Sequence, residues 1–145
     1  MSSIRAIAIK NRSRVAMQVI DSAQITVANG ILGDFRGTQQ GRQITILSES
    51  AWRKACAEVD SDLPWTTRRA NLLVDEVEFD ASYAGKTVRI GDVELMVTRE
   101  TNPCSLMDAQ HQGLTAALTP DWRGGICCNV IKPGDIKIGD QIEFD

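Results

Sequence analysis

The sequence is poor in the residues that most metal sites are built from. It has a single histidine, His111, and no Cys-x-x-C pair. One histidine and four cysteines without Cys-x-x-C spacing make a structural zinc site unexpected. We interpret Cys56, Cys104, Cys127 and Cys128 as free thiols in a reducing compartment.

Runs of like charge and long apolar runs are also missing. The 16 basic and 19 acidic residues are scattered along the chain, with no basic stripe rich in aromatics. We therefore expect no nucleic-acid partner. No apolar run approaches the roughly 18–20 residues that span a bilayer, and Arg5 interrupts the first apolar residues where a signal peptide would need its core. These features predict a cytoplasmic protein without a membrane partner.

Turn signals and short alternating apolar runs are abundant. A chain of 145 residues can bury a substantial core, and we expect a single domain over residues 1–145. The Gly-Asp pairs at 91–92, 134–135 and 139–140 separate strand-like runs. Strands are predicted at 4–9, 15–20, 24–27, 43–47, 72–74, 88–90, 93–98, 126–131, 136–138 and 141–144. The pattern predicts a mainly β fold with a few short helices, closed or nearly closed into an antiparallel β-barrel.

Three helical stretches interrupt this β pattern. Ser48 is a plausible N-cap for a helix whose apolar residues run from Ala51 to Val59, which makes Cys56 a core residue. Residues 105–111 and 114–118 form two short helical runs separated by Gly113.

Cys104 lies at the turn between a predicted strand and the helix at 105–111. Backbone N–H groups at such a turn stabilise negative charge, so Cys104 is the candidate reactive thiol. The alternative is a small buried hydrophobic residue. Cys127 and Cys128 lie within one predicted strand and point to opposite faces, and we interpret both as structural.

Arginines accompany glycines or strand ends on three segments. Residues 29–41 are punctuated by glycines and carry Arg36, with Arg42 directly after them. Several glycines allow close backbone approach, and the arginines suit a phosphate or another oxyanion. The alternative is an ordinary surface loop with solvated arginines.

The other two arginine segments stand at strand entrances. Arg68, Arg69 and Asn71 lead into the strand at 72–74 and make either a donor cluster for an anion or a solvated edge. Arg123 and Gly124 lead into the strand at 126–131. They predict an anion clamp, although a glycine bulge at a barrel corner would explain the glycine.

Taken in order, these segments resemble the MOSC domain, the domain named for the C-terminal part of molybdenum cofactor sulfurase. The matching pieces are Gly-Asp at 33–34, Arg-Arg-Ala-Asn-Leu-Leu-Val at 68–74, Arg-Ile-Gly-Asp at 89–92, Pro-Cys at 103–104, Arg-Gly-Gly at 123–125 and Ile-Gly-Asp at 138–140. The resemblance covers nearly the whole chain. It implies a barrel-like β fold and a molybdenum–pterin cofactor, or a related sulfur group, held around one cysteine.

The resemblance also implies site residues. In the members that reduce amidoximes and N-hydroxylamines, a cysteine at the position of Cys104 is a molybdenum ligand, and an Arg-x-Asn stretch corresponding to Arg69 and Asn71 lies near the cofactor. We therefore expect Cys104 to be the catalytic and metal-binding residue. We expect the cofactor to be held by Arg36, Arg69, Asn71, Arg123 and Gly124.

Two functions follow from this resemblance. The first is a molybdenum-dependent oxidoreductase that reduces small N-hydroxylated substrates and takes electrons from a redox partner protein. The alternative is a sulfur-carrier or cofactor-delivery module with a Cys104 persulfide, loaded by a cysteine desulfurase and without turnover of its own. The reductases carry an additional N-terminal β domain or C-terminal helical segment, for which 145 residues leave no room, and this keeps the alternative open. A ligand-binding module with a degenerate site is the third possibility.

Overall fold

The computed structural model describes residues 2–145. The strands are β1 (Ser2–Ile9), β2 (Gln18–Ile20), β3 (Ser22–Thr26), β4 (Gly30–Ile31), β5 (Ile44–Ser48), β6 (Leu72–Val74), β7 (Thr87–Ile90), β8 (Val93–Glu100), β9 (Ile126–Lys132), β10 (Gly134–Lys137) and β11 (Gln141–Phe144). The helices are α1 (Glu49–Glu58), α2 (Ser105–Gln110) and α3 (Leu114–Leu118), with 3₁₀ turns at Trp65–Arg68, Ala81–Tyr83 and Pro120–Trp122. Within the described part of the chain, no helix has the length and apolar character needed to cross a membrane.

Strands β11, β7, β8, β9, β5, β6 and β1 pair in that order, and β1 pairs with β11 to close the ring. The prediction of a mainly β, closed barrel is confirmed. The expectation that it is antiparallel throughout is wrong for one pair, because β5 and β6 run parallel. These two strands are connected through α1, and a helical crossover brings the chain back to the same end of the sheet.

The strands outside the ring are short. β2 pairs with the C-terminal end of β1, beyond the residues that pair with β11, while β10, β3 and β4 form a small separate sheet. The strand predicted at 15–20 is confirmed only for Gln18–Ile20. Val15 and Met17 instead line an external cleft, so their alternation does not reflect a sheet.

Two apolar cores lie on the two sides of β5 and β6. Ile44 and Ile46 point into the barrel core, whereas Leu47 belongs to a second core under the helices. A strand covered on both faces is apolar at nearly every position, which explains the unbroken apolar run of β6. Cys56 lies in the second core, and Cys128 lies in the barrel core, where burial raises the pKa of its thiol.

Helix α1 begins as the sequence predicts. The side chain of Ser48 accepts a hydrogen bond from the backbone N–H of Ala51, so Ser48 is the N-cap. Trp52 packs into the second core, and its indole N–H donates to the Leu63 carbonyl at 3.0 Å. The helical layer is therefore fixed against the outer face of β5 and β6.

Candidate functional site

Cys104 is the only exposed cysteine of the described chain and is the N-cap residue of α2. Its side chain makes no capping hydrogen bond. Its carbonyl accepts from the Thr115 hydroxyl at 2.7 Å, and Met107 anchors the helix in the second core. The backbone around the thiol is thus fixed while the sulfur remains accessible.

Arg68 is buried close to the Cys104 segment. Its Nη2 donates to the Thr101 carbonyl at 2.8 Å and its Nε donates to the Gly124 carbonyl at 3.2 Å. Burial, followed by the positive charge of Arg42, lowers the pKa of Arg68 to about 10, while charge on Cys104 acts in the opposite direction. This guanidinium therefore ties three segments together within electrostatic range of the thiol.

Gly124 is required by this packing. A Cβ at position 124 would lie 2.3 Å from the Thr101 carbonyl oxygen and 3.0 Å from Nη2 of Arg68. The residue acts through its carbonyl, which holds Arg68. A glycine predicted to approach a ligand is thus found against the protein's own backbone.

Basic side chains are concentrated around this point. We call Lys10, Arg36, Arg42, Arg68 and Arg69 the cation cluster. Burial, then the charges of Arg69 and Arg36, lowers the pKa of Lys10. Burial, then the charge of Arg42, lowers the pKa of Arg36.

The cation cluster has no carboxylate partner within salt-bridge distance in the described part of the chain. Nε of Arg42 is buried without a hydrogen-bond partner there. A buried donor left unpaired costs about 1–3 kcal/mol, and an anion that accepts from it removes that cost. The cluster is therefore suited to an oxyanion.

Phe35 holds two members of the cluster in place. Nζ of Lys10 and Cζ of Arg36 each lie 5.1 Å from the centroid of its ring. The Asp34 carboxylate accepts from the backbone N–H of Lys10 at 3.1 Å, which fastens the loop to the end of β1. Burial raises the pKa of Asp34, and the hydrogen bond from Lys10 opposes that rise.

The glycines of residues 29–41 serve to pack this loop. A Cβ at Gly37 would lie 1.6 Å from the Asn29 carbonyl oxygen, so two backbone segments touch there. Gln43 secures the contact: its amide donates to the Gly37 carbonyl at 3.0 Å, and its side-chain oxygen accepts from the Val130 N–H at 2.8 Å. The sequence offered no signal for Gln43 beyond a polar residue at the start of a strand.

Asn71 is bonded within the barrel wall. Its side-chain oxygen accepts from the Thr45 N–H at 3.0 Å, and its Nδ2 donates to the Ala8 carbonyl at 3.2 Å. Hydrogen bonding to Asn71 also helps hold down the pKa of Asp34. Asn71 therefore joins three strands beside the cation cluster.

Arg123 lies elsewhere. Its Nη1 donates to the Glu58 carboxylate at 2.6 Å and to the Ala117 carbonyl at 3.0 Å. The structure brings Arg36 and Arg69 together with Lys10, but it commits Arg123 to an ion pair with α1. Through these bonds the residue ties the segment before β9 to the helical layer.

The remaining candidates have structural surroundings. Cys127 is buried, with its Sγ 3.2 Å from the Thr101 hydroxyl. Nε2 of His111 lies 3.2 Å from the Val59 carbonyl oxygen and connects the end of α2 to α1. Across residues 2–145, no three His, Cys, Asp or Glu side chains are grouped so that they could hold a metal ion.

Comparisons with known proteins agree with this architecture. A family model described as MOSC domain matches residues 32–143. No curated protein gives a significant match.

Solved structures give the same fold. The YUAD protein from Bacillus subtilis is 19% identical, with a TM-score of 0.81 over 99% of this chain and 96% of that chain. YiiM from Geobacillus stearothermophilus is 13% identical, with a TM-score of 0.79 over 100% and 75% of the two chains. YiiM from Escherichia coli is 15% identical, with a TM-score of 0.73 over 99% and 69%.

Proposed function

The chain belongs to the MOSC domain family, and from that premise we propose that it binds a molybdenum–pterin cofactor with the Cys104 sulfur as a metal ligand. The observation that carries the proposal is the cation cluster, which forms no salt bridge in the described chain. One of its members, Arg68, also lies within electrostatic range of the exposed Cys104. The cation cluster suits an anionic group such as a phosphate, and the cysteine sulfur suits a soft metal.

The donor set fits such a cofactor. A pterin phosphate would accept from the arginines of the cluster and from Nε of Arg42. One thiolate, with no further grouped ligands in residues 2–145, fits a metal whose other ligands come from the cofactor itself. When bound, the cofactor supplies the redox chemistry that amino-acid side chains lack.

The chain's own residues would bind the cofactor and orient it. Arg36 and Arg42 would hold the phosphate, while Arg68 keeps the Cys104 segment in place through its hydrogen bond to the Thr101 carbonyl. Asn71 would support the same wall through its bonds to Thr45 and Ala8. The reaction we propose is reduction of a small N-hydroxylated substrate, with electrons delivered by a redox partner protein.

Metal analysis tests the proposal. Protein produced in a cofactor-replete host should contain molybdenum, and Cys104→Ala should lose at least about 90% of it because the only exposed thiol is gone. Cys56→Ala is the matched control, since that thiol lies in the second core away from the cation cluster, and it should retain its metal. Wild-type protein without molybdenum, or Cys104→Ala with full occupancy, would overturn the proposal.

A second function is favoured by the accessibility of Cys104. The Cys104 thiol is exposed, free of capping hydrogen bonds and within electrostatic range of Arg68. As a thiolate it can attack the outer sulfur of a cysteine desulfurase persulfide, so that the bond within that persulfide breaks and the desulfurase thiolate leaves. Mass spectrometry after incubation with desulfurase and cysteine should then show one added sulfur on Cys104 and none on Cys56. A persulfide in protein that never contains molybdenum would favour the carrier, whereas molybdenum bound without an adduct would favour the reductase.

A further inference from the structure

A cleft of about 320 Å³ opens beside the cation cluster. Its wall combines the segment that follows β1, the 3₁₀ turn at Trp65–Arg68 and the end of α2. Arg69 belongs to both, because it lines the cleft and is a member of the cation cluster, where its charge lowers the pKa of Lys10 after burial. Apart from Arg69, no residue that lines the cleft has a function assigned above.

Two arginines in this cleft are held in an unusual backbone conformation. Arg14 has φ 64° and Arg69 has φ 65°, both in the left-handed region that residues with a Cβ rarely adopt. Such strained positions gather at ligand-binding sites, where the surrounding structure enforces them. Both of these strained residues line the same cleft.

Both guanidinium groups are available to a ligand. Within residues 2–145, neither Arg14 nor Arg69 forms a salt bridge. Thr66 and Thr67 add hydroxyl groups to the same wall. Arginine is well suited to carboxylate and phosphate because its planar donors can bind two oxygens at once.

The cleft also has an apolar side, and one of its lining residues lies on the helix that follows Cys104. Val15 and Met17 are half-buried and line it, so an uncharged organic body can pack there. Gln110, the last residue of α2, reaches the cleft from the far end of the helix that begins after Cys104. A six-residue helix is about 9 Å long, and it carries Cys104 at its beginning and Gln110 at its end.

We propose that this cleft binds the substrate through a carboxylate or phosphate group held by Arg14 and Arg69, with its apolar part against Val15 and Met17. The role as substrate site rests on the proposed function at Cys104, whereas anion binding in the cleft does not. Small organic anions are therefore the ligand class. Neutral molecules of the same shape should bind more weakly, because they lack the charge that attracts the two arginines.

The experiment is an NMR titration of the full chain as purified, which needs no molybdenum. Benzoate and phenyl phosphate are the anionic probes, and benzamide is the uncharged counterpart of benzoate. Arg14→Asn removes the charge with a residue that tolerates the left-handed region, and Arg14→Lys retains the charge. Arg12→Asn is the matched control, because Arg12 is an exposed arginine that does not line the cleft.

We expect saturable shifts at the amides of Thr66 and Thr67 with benzoate or phenyl phosphate, and binding at least tenfold weaker with benzamide. Arg14→Asn should weaken anion binding at least tenfold, Arg14→Lys should restore part of it, and Arg12→Asn should leave it unchanged. The stronger of the two anions identifies the substrate as a carboxylate or a phosphate. No saturable binding, equal binding of benzamide, or a folded Arg14→Asn protein that binds as the wild type does would each overturn the proposal, whatever the molybdenum content.

Discussion

Lys10 is a buried lysine whose surroundings explain why the site favours an anion. Its side chain is buried, it lies near the ring of Phe35, and it forms no salt bridge in the described chain. Burial, then the charges of Arg69 and Arg36, lowers its pKa, and the nearby charge of Asp34 opposes this only in part. The folded chain thus keeps a positive charge where charge is unfavourable, and an anion beside it offsets that cost.

The pH dependence of anion binding follows from this pKa. Between the lowered pKa and the ordinary value of 10.5, the folded chain binds fewer protons than the unfolded chain, so the contribution of Lys10 to stability rises with pH. An anion favours the charged lysine. The affinity for sulfate, whose charge is constant, should therefore fall as pH rises from neutral towards 10.5.

Calorimetric titration of sulfate at several pH values tests this expectation. Lys10→Met should bind sulfate several-fold more weakly at neutral pH and with a flatter pH profile. Lys54→Met is the control, because Lys54 is exposed and paired with Glu78, and it should match the wild type. A wild-type affinity that rises with pH would contradict the role of Lys10.

Site residues could be predicted from sequence only where a local pattern marks them. The arginines at 36, 42 and 69 stand beside glycines or a strand entrance, so their grouping could be anticipated. Lys10 carries no such mark, because only the tertiary fold brings the end of β1 to the loop with Phe35. The pairing of Arg123 with Glu58 depends on how α1 packs, which a sequence pattern does not determine.

The loop between β4 and β5 acts as a rigid element. It presents Arg36 and Arg42, yet its own glycine packs against the Asn29 carbonyl and its end is clamped by Gln43. Glycine there permits backbone contact, so the loop needs no ligand to be ordered. The sequence predicted a glycine-rich anion loop but not this internal fastening.

Gly37→Ala tests the fastening of the loop. The added Cβ would overlap the Asn29 carbonyl oxygen, so we expect a loss of at least about 2 kcal/mol in the free energy of unfolding, together with weaker sulfate binding. Urea denaturation measures the stability. Gln40→Ala, at an exposed position in the same loop, should change stability by no more than about 0.5 kcal/mol. Equal stability of the two variants would show that the contact is not required.

The whole molecule is organised by an odd number of barrel strands. Strands in a closed ring of seven cannot alternate in direction throughout, so at least one neighbouring pair must be parallel. That pair is β5 and β6, joined through the only long helix of the described chain. Local patterns could predict the strands and the closed barrel, but the partner of each strand depends on pairings between distant parts of the sequence.

Barrel closure has its own test. β11 pairs with β1 at one side of the ring, and Ile142 is buried there in the barrel core. Ile142→Ala should lower the free energy of unfolding by about 2–5 kcal/mol, since it leaves a cavity in that core. Ile138→Ala removes the same atoms at a site 40% exposed and should cost far less. Similar losses in urea denaturation would argue against closure through β11.

The second core has a consequence for motion. Leu47 and Leu73 support the helical layer, while the barrel core on the other face of the same strands is held by a closed ring of hydrogen bonds. The two layers can therefore open with different free energies, and we expect the amides of α2 and α3 to exchange with solvent well before those of β5. The helical layer that carries Cys104 can therefore open locally while the barrel remains closed. Such local opening would let a bulky group enter and leave the site without unfolding the chain.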